Sequence, residues 1–187
     1  MKRSSFTRLT LAAAGVACLL PVSAFAEERV CRGEIGAVTL DNVRVPQNAK
    51  CTLTGTRVKG TVKVEANATL VAEDVVVIGN VQAENHKSVK VRDGSRVGGS
   101  VQIKQGGGAT VADSRVEADI QYDDNDGVLN IARNKVGGSV QVVKNSGEIT
   151  IRRNTIDGNL QCKENSPAPT GGNNVVGGNK EDQCRRL

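Results

Sequence analysis

Residues 127–146 and 147–166 are two copies of one 20-residue phrase. Identical residues stand at matching places: Gly127 and Gly147, Ile131 and Ile151, Arg133 and Arg153, Asn134 and Asn154, Gly138 and Gly158, Gln141 and Gln161, and Ser146 and Ser166. Self-similarity at this period restricts the architecture more than local propensity does, because each copy is too small to bury its own apolar face and must stack on the next. The period runs well beyond these two copies. An apolar marker recurs at Val58, Val77, Val97, Val116, Val136, Ile156 and Val176, in steps of 19 or 20 residues.

Each marker is followed by a turn and a short strand, as in Asn80-Val81-Gln82, Asp119-Ile120-Gln121 and Asn159-Leu160-Gln161. Side chains alternate along such a strand, so Val81, Ile120 and Leu160 point inward while Gln82, Gln121 and Gln161 point out. A second strand precedes the marker, as in Thr69-Leu70-Val71, Val89-Lys90-Val91, Leu129-Asn130-Ile131 and Ile149-Thr150-Ile151. Period-2 alternation in segments this short, broken by Gly, Asn, Asp and Ser, predicts strands and excludes helices. The expected fold is all-β: a single parallel β-solenoid, a right-handed β-helix of about seven coils of 19–20 residues. Left-handed hexapeptide solenoids need a six-residue rhythm that is absent here. An isolated coil could not offset the ordering of its ~20 residues, at roughly 1–2 kcal/mol each for the backbone, so stability must come from stacking. The chain divides into residues 1–26, an N-terminal cap over 27–50, repeats over 51–166, and a C-terminal coil and cap over 167–187.

Residues 1–26 have a basic start (Lys2, Arg3, Arg8), an apolar run from Leu9 to Leu20 and the ending Ala24-Phe25-Ala26, the pattern of a cleavable secretory signal. The chain is expected to be exported, to the periplasm or outside the cell, with no membrane span. Removing those 26 of 187 residues lowers the formal net charge from +5 to +2, because three basic residues and no acidic ones leave with them. Phe6 and Phe25 leave too, and Tyr122 becomes the only aromatic. A weak net charge and no stacking platforms argue against nucleic acid as a partner. Four cysteines remain, at 31, 51, 162 and 184, which in an oxidising compartment predicts disulfides. Cys31 with Cys51 and Cys162 with Cys184 are each separated by about one repeat, so these pairs would be neighbours in the stack.

Several phrases outside the generic repeat carry a likeness. Gly158-Asn159-Leu160-Gln161-Cys162, Asn165-Ser166-Pro167-Ala168-Pro169-Thr170-Gly171 and Gly177-Gly178-Asn179-Lys180-Glu181-Asp182-Gln183-Cys184 resemble a group of exported, uncharacterised bacterial right-handed β-helix proteins. Val45-Pro46 and Cys51-Thr52-Leu53-Thr54-Gly55-Thr56 share in it. The resemblance implies the fold and export, and it assigns no catalytic residues. A looser likeness to bactofilins, polymerising bacterial β-helices, lies in Gly60-Thr61-Val62-Lys63-Val64 and Gly99-Ser100-Val101-Gln102-Ile103, although the secretion signal and cysteines depart from that cytoplasmic pattern.

Candidate sites follow from the columns that stacking creates. Asn134, Asn154 and Asn174 would form an amide ladder at a turn, where Asn tolerates the left-handed backbone. Gln82, Gln102, Gln121, Gln141 and Gln161 would form a second ladder on an outer face. Asp123, Asp124 and Asp126, with Asn125, are the densest group of oxygen donors and the candidate for calcium. His86, the only histidine, is expected to lie exposed in the turn Asn85-His86-Lys87. Arg96, Arg115, Arg133, Lys135 and Arg153 recur near the markers of successive coils and are the candidate ligand stripe for an anionic polysaccharide or another envelope component. Asp113, Asp119 and Asp157 stand close enough in sequence to neutralise it. Nothing calls for a cofactor. Every coil is near minimal length, leaving no long loop to wall a cleft, so a non-enzymatic structural, adhesive or glycan-binding module is expected. The alternative is a small polysaccharide lyase or hydrolase of the β-helix class.

Overall fold

The computed structural model describes residues 27–187, and the expected signal segment, residues 1–26, lies outside the described residues. The chain winds through three parallel sheets in turn. Sheet 1 has nine strands, from Glu28–Val30 to Lys180–Asp182; sheet 2 has eight, from Gly33–Ile35 to Thr170–Gly172; sheet 3 has eight two-residue strands, from Thr39–Leu40 to Val175–Val176. Strands that pair within a sheet belong to successive coils, as the register Val81 to Val101 to Ile120 to Val140 to Leu160 shows. There are about eight turns rather than seven. The added turn is the segment over residues 27–50, which places strands in all three sheets: Leu40 lies beside Val58 in sheet 3 as an eighth marker.

The interior is a stack of aliphatic columns, one residue per coil. Val62, Val81, Val101, Ile120, Val140 and Leu160 form one; Leu53, Ala72, Val91, Val111, Ile131 and Ile151 another; Val58, Val77, Val97, Val116, Val136 and Ile156 a third, all buried. β-Branched residues suit these positions because they pack well on a pleated surface. Tyr122 replaces an aliphatic residue in a fourth column, between Ile103 and Val142, and is fully buried.

Polar ladders hold two of the corners. Between sheets 1 and 2 a left-handed residue recurs at Asn48, Asn67, Asn85, Gln105, Asp124, Lys144 and Glu164 (φ +48° to +61°), and between sheets 2 and 3 at Asp74, Asp93, Asp113, Arg133, Arg153 and Asn173 (φ +50° to +58°). Asn134, Asn154 and Asn174 are therefore not the left-handed residues, as their turn position suggested. Each follows one, and the sharp bend aims its side chain inward, where it is buried. The Asn154 carboxamide accepts from the backbone N–H and the side-chain Nδ2 of Asn134 (3.0 and 3.1 Å) and donates to the Ile131 carbonyl and Asn174 Oδ1 (both 2.9 Å). The other corner carries a matching ladder of Asn125, Asn145 and Asn165 that ends on Gln183. Left-handed backbone is costly for residues such as Arg133 or Lys144, and the bonds made by the next residue hold it in place.

Disulfides Cys31–Cys51 and Cys162–Cys184 join neighbouring coils at the two ends, with Cα–Cα distances of 5.6 and 5.2 Å. No helix among the described residues is long and apolar enough to cross a membrane.

Candidate functional site

Sheet 3 is a minimal strand: one residue out, one residue in. Its outward column reads Thr39, Arg57, Val76, Arg96, Arg115, Lys135, Thr155 and Val175. The exact 19- and 20-residue steps thus set Arg96, Arg115 and Lys135 side by side on three successive coils, at the ~4.8 Å spacing of neighbouring strands. All three are exposed. Like charges held this close repel, and the face relieves this with carboxylates. Arg115 is paired through Nε and Nη2 with Glu117, two residues on, and Asp157 also acts on it. The hydrogen bond from Arg115, and then the charges of Arg115, Lys135 and Arg96, hold the Glu117 carboxyl below its ordinary range. One carboxylate is shared by three cations, and Arg96 and Lys135 have no ion-pair partner among the described residues.

Arg133 and Arg153 lie elsewhere. They occupy the left-handed column at the corner between sheets 2 and 3, beside the stripe rather than in it. Arg133 reaches one coil back to Asp113 with two contacts of 2.5 Å, and this pairing holds the Asp113 carboxyl below its usual range. Arg153, one coil further on, makes no ion pair among the described residues. Of the expected neutralising residues, Asp113 serves Arg133 and Asp157 acts on Arg115, whereas the Asp119 carboxylate accepts the Ser139 N–H at 2.7 Å and belongs to a turn. Glu117 stands two residues after Arg115, on the same outward side by ordinary strand alternation, with Val116 buried between them; this pairing lies within one coil, whereas the expected neutralising residues were Asp113, Asp119 and Asp157.

The other candidates resolve differently. Gln82 donates to Gln102 (2.9 Å) and Gln102 to Gln121 (3.2 Å), so the outer Gln column is an amide ladder over its first three coils; at its far end Gln161 donates to Glu181 (2.8 Å), which continues the column on the next coil. Shallow depressions run along this face, one of about 230 Å³ beside Lys63, Gln82, Glu84 and Lys104 and one of about 320 Å³ beside Gln121, Asp123, Gln141 and Lys144. Asp123, Asp124 and Asp126 do not form a calcium cage. Tyr122 points into the core, Asp123 faces out, Asp124 is left-handed and the Asn125 amide is spent in the ladder. Among the described residues no three acidic, His or Cys side chains come together as a metal site.

His86 overturns the expectation of an exposed turn residue, for it is 3% exposed. The reason lies one coil ahead. Gly106 has no side chain, and a Cβ there would come within 2.3 Å of His86 Nδ1, so the imidazole fills the room that Gly106 leaves. Among the described residues, neither ring nitrogen has a hydrogen-bond partner, and the buried Tyr122 hydroxyl has none either. Burial pushes the His86 pKa down and the Tyr122 pKa up.

Comparison with known proteins finds no matching family model, no matching curated sequence and no matching solved structure.

Proposed function

We propose that this protein is an exported, non-enzymatic β-helix module that binds an anionic polysaccharide or a similar extended polyanion along sheet 3. The observation that carries this reading is the register of Arg96, Arg115 and Lys135 on three successive strands. An extended polymer can follow charges repeated every ~4.8 Å without bending. The two disulfides accord with folding in an oxidising compartment.

Charge is the attraction on offer, and it is modest. Each exposed contact contributes under ~1 kcal/mol, so the three column cations together with Arg153 supply at most ~4 kcal/mol, which corresponds to a dissociation constant near 1 mM for one coil stack on one segment of polymer. Longer polymers and repeated segments raise retention through avidity. Binding must weaken sharply with salt, because exposed charges are screened over ~8–10 Å at ionic strengths of 0.1–0.15 M. Retention on an immobilised anionic polysaccharide, eluted with a salt gradient, tests the proposal. The Arg96→Glu/Arg115→Glu variant should elute well before the wild type, and unchanged elution would leave a purely structural role as the better account.

A further inference from the structure

We infer that His86 and the glycines that follow it one coil later form an acid-sensitive seam in the solenoid, closed while the imidazole is neutral and opening as it takes up a proton. Position 86 belongs to the corner between sheets 1 and 2. From Asn125 onward, that corner is held by the amide ladder, in which Asn125, Asn145 and Asn165 each bond to the next coil. The ladder stops at Gly106, whose N–H donates to Asn125 Oδ1 at 3.1 Å but which has no side chain to pass the chain of bonds onward. His86 fills that gap with a ring that makes no hydrogen bond in return. The two halves of the corner therefore meet at a contact without side-chain hydrogen bonds.

The segment above the ring is Gly106-Gly107-Gly108. Its backbone lies directly on the preceding coil: a Cβ at Gly107 would meet the Lys87 carbonyl at 2.3 Å, and the Gly107 N–H donates to the His86 carbonyl at 2.9 Å. Three consecutive glycines gain more conformational freedom on release than any other tripeptide, so this is the place where a coil can lift at least cost. The charged neighbours do not compensate a cation. Burial is the largest influence and disfavours it, outweighing the carbonyls of Gly108 and Lys104 and then Asp126, one coil further on, which favour it; neither ring nitrogen makes a hydrogen bond among the described residues. Lys87 and Lys104, the basic residues on the adjoining segments, are exposed.

The sign follows from the lowered pKa. The open form binds a proton near the ordinary histidine pKa of ~6.5, the closed form only at lower pH, so closure is fully favoured above ~6.5 and is lost as pH falls below it. Between the two pKa values, the opening constant rises up to about tenfold per pH unit.

Because His86 is the only histidine, its proton resonances titrate alone. The expected NMR midpoint for the wild type lies below 6.5, and a midpoint at or above that value overturns the inference. Hydrogen exchange, corrected for the intrinsic pH dependence, supplies the second measurement. Amides over residues 104–110 should lose more protection between pH 7 and pH 5 than those over 144–150, the equivalent segment beneath an unbroken ladder, by up to about 25-fold. The His86→Asn and His86→Gln variants should abolish the difference; retention of it in both, or its absence in the wild type, refutes the seam.

Discussion

Replacement of Asn154 by leucine removes the centre of the ladder between sheets 2 and 3. Four side-chain hydrogen bonds disappear. Two buried donors, the Asn134 N–H and one N–H of its carboxamide, then lose the one partner they have among the described residues, whereas Asn174 Oδ1 still accepts the backbone N–H of residue 154 at 3.0 Å. Each orphaned donor costs about 1–3 kcal/mol. The buried leucine returns part of this, on the order of 1.5–2 kcal/mol. The net loss is about 0–4.5 kcal/mol with a midpoint near 2 kcal/mol, which for a chain of this size lowers the melting temperature by roughly 4–8 °C at the midpoint. Gln141→Ala is the control, since Gln141 stands on the outer face and makes no side-chain hydrogen bond with the described residues; it should change stability by less than ~0.5 kcal/mol. Thermal unfolding followed by circular dichroism at one scan rate compares the two. Equal shifts would mean that the ladder contributes no more than a solvated amide, and the inward role of Asn154 would be wrong.

Two further outcomes follow from the same geometry. Cys162→Ser/Cys184→Ser and Cys31→Ser/Cys51→Ser should each destabilise by about 3 kcal/mol, as expected for closed loops of 22 and 20 residues, and a 51–162 linkage in an unreduced peptide map would contradict the stacking. Arg153→Asn should leave the melting temperature unchanged or raise it by the equivalent of up to ~1 kcal/mol, because Arg153 has φ +56° and Asn173 already adopts φ +58° in the same column; a clear loss would show that the arginine side chain stabilises the corner.

The fold was legible because the repeat is strict enough to fix which residues stack. Marker spacing placed Val58 through Val176 in one sheet, and the alternation around Gln82 and Gln121 gave inside and outside correctly. One amide ladder was legible for the same reason, since Asn134, Asn154 and Asn174 stand 20 apart. The second ladder has the same spacing, at 125, 145 and 165, but Asn125 sits among aspartates and looked like a metal donor. What separates the two possibilities is which residue takes the left-handed turn: Asp124 does, and that turns Asn125 inward. His86 could not be read from its neighbours in sequence, because its burial depends on the missing side chain of Gly106 one coil later. The candidate stripe was half legible. Strand register gives Arg96, Arg115 and Lys135, and alternation within one coil sets Glu117 on the same side as Arg115, while the positions of Arg133 and Arg153 depend on corner geometry that the repeat does not encode.

The most direct test of the binding account compares two variants with the same change in charge at different places. Arg96→Glu/Arg115→Glu reverses two cations within the sheet 3 column, while Lys63→Glu/Lys90→Glu reverses two exposed cations on sheets 1 and 2. Affinity for one defined anionic polysaccharide, measured by isothermal titration calorimetry at low salt, should fall at least tenfold for the first variant and less than threefold for the second. Equal losses would show that net charge alone is responsible, and no loss in either would contradict the stripe.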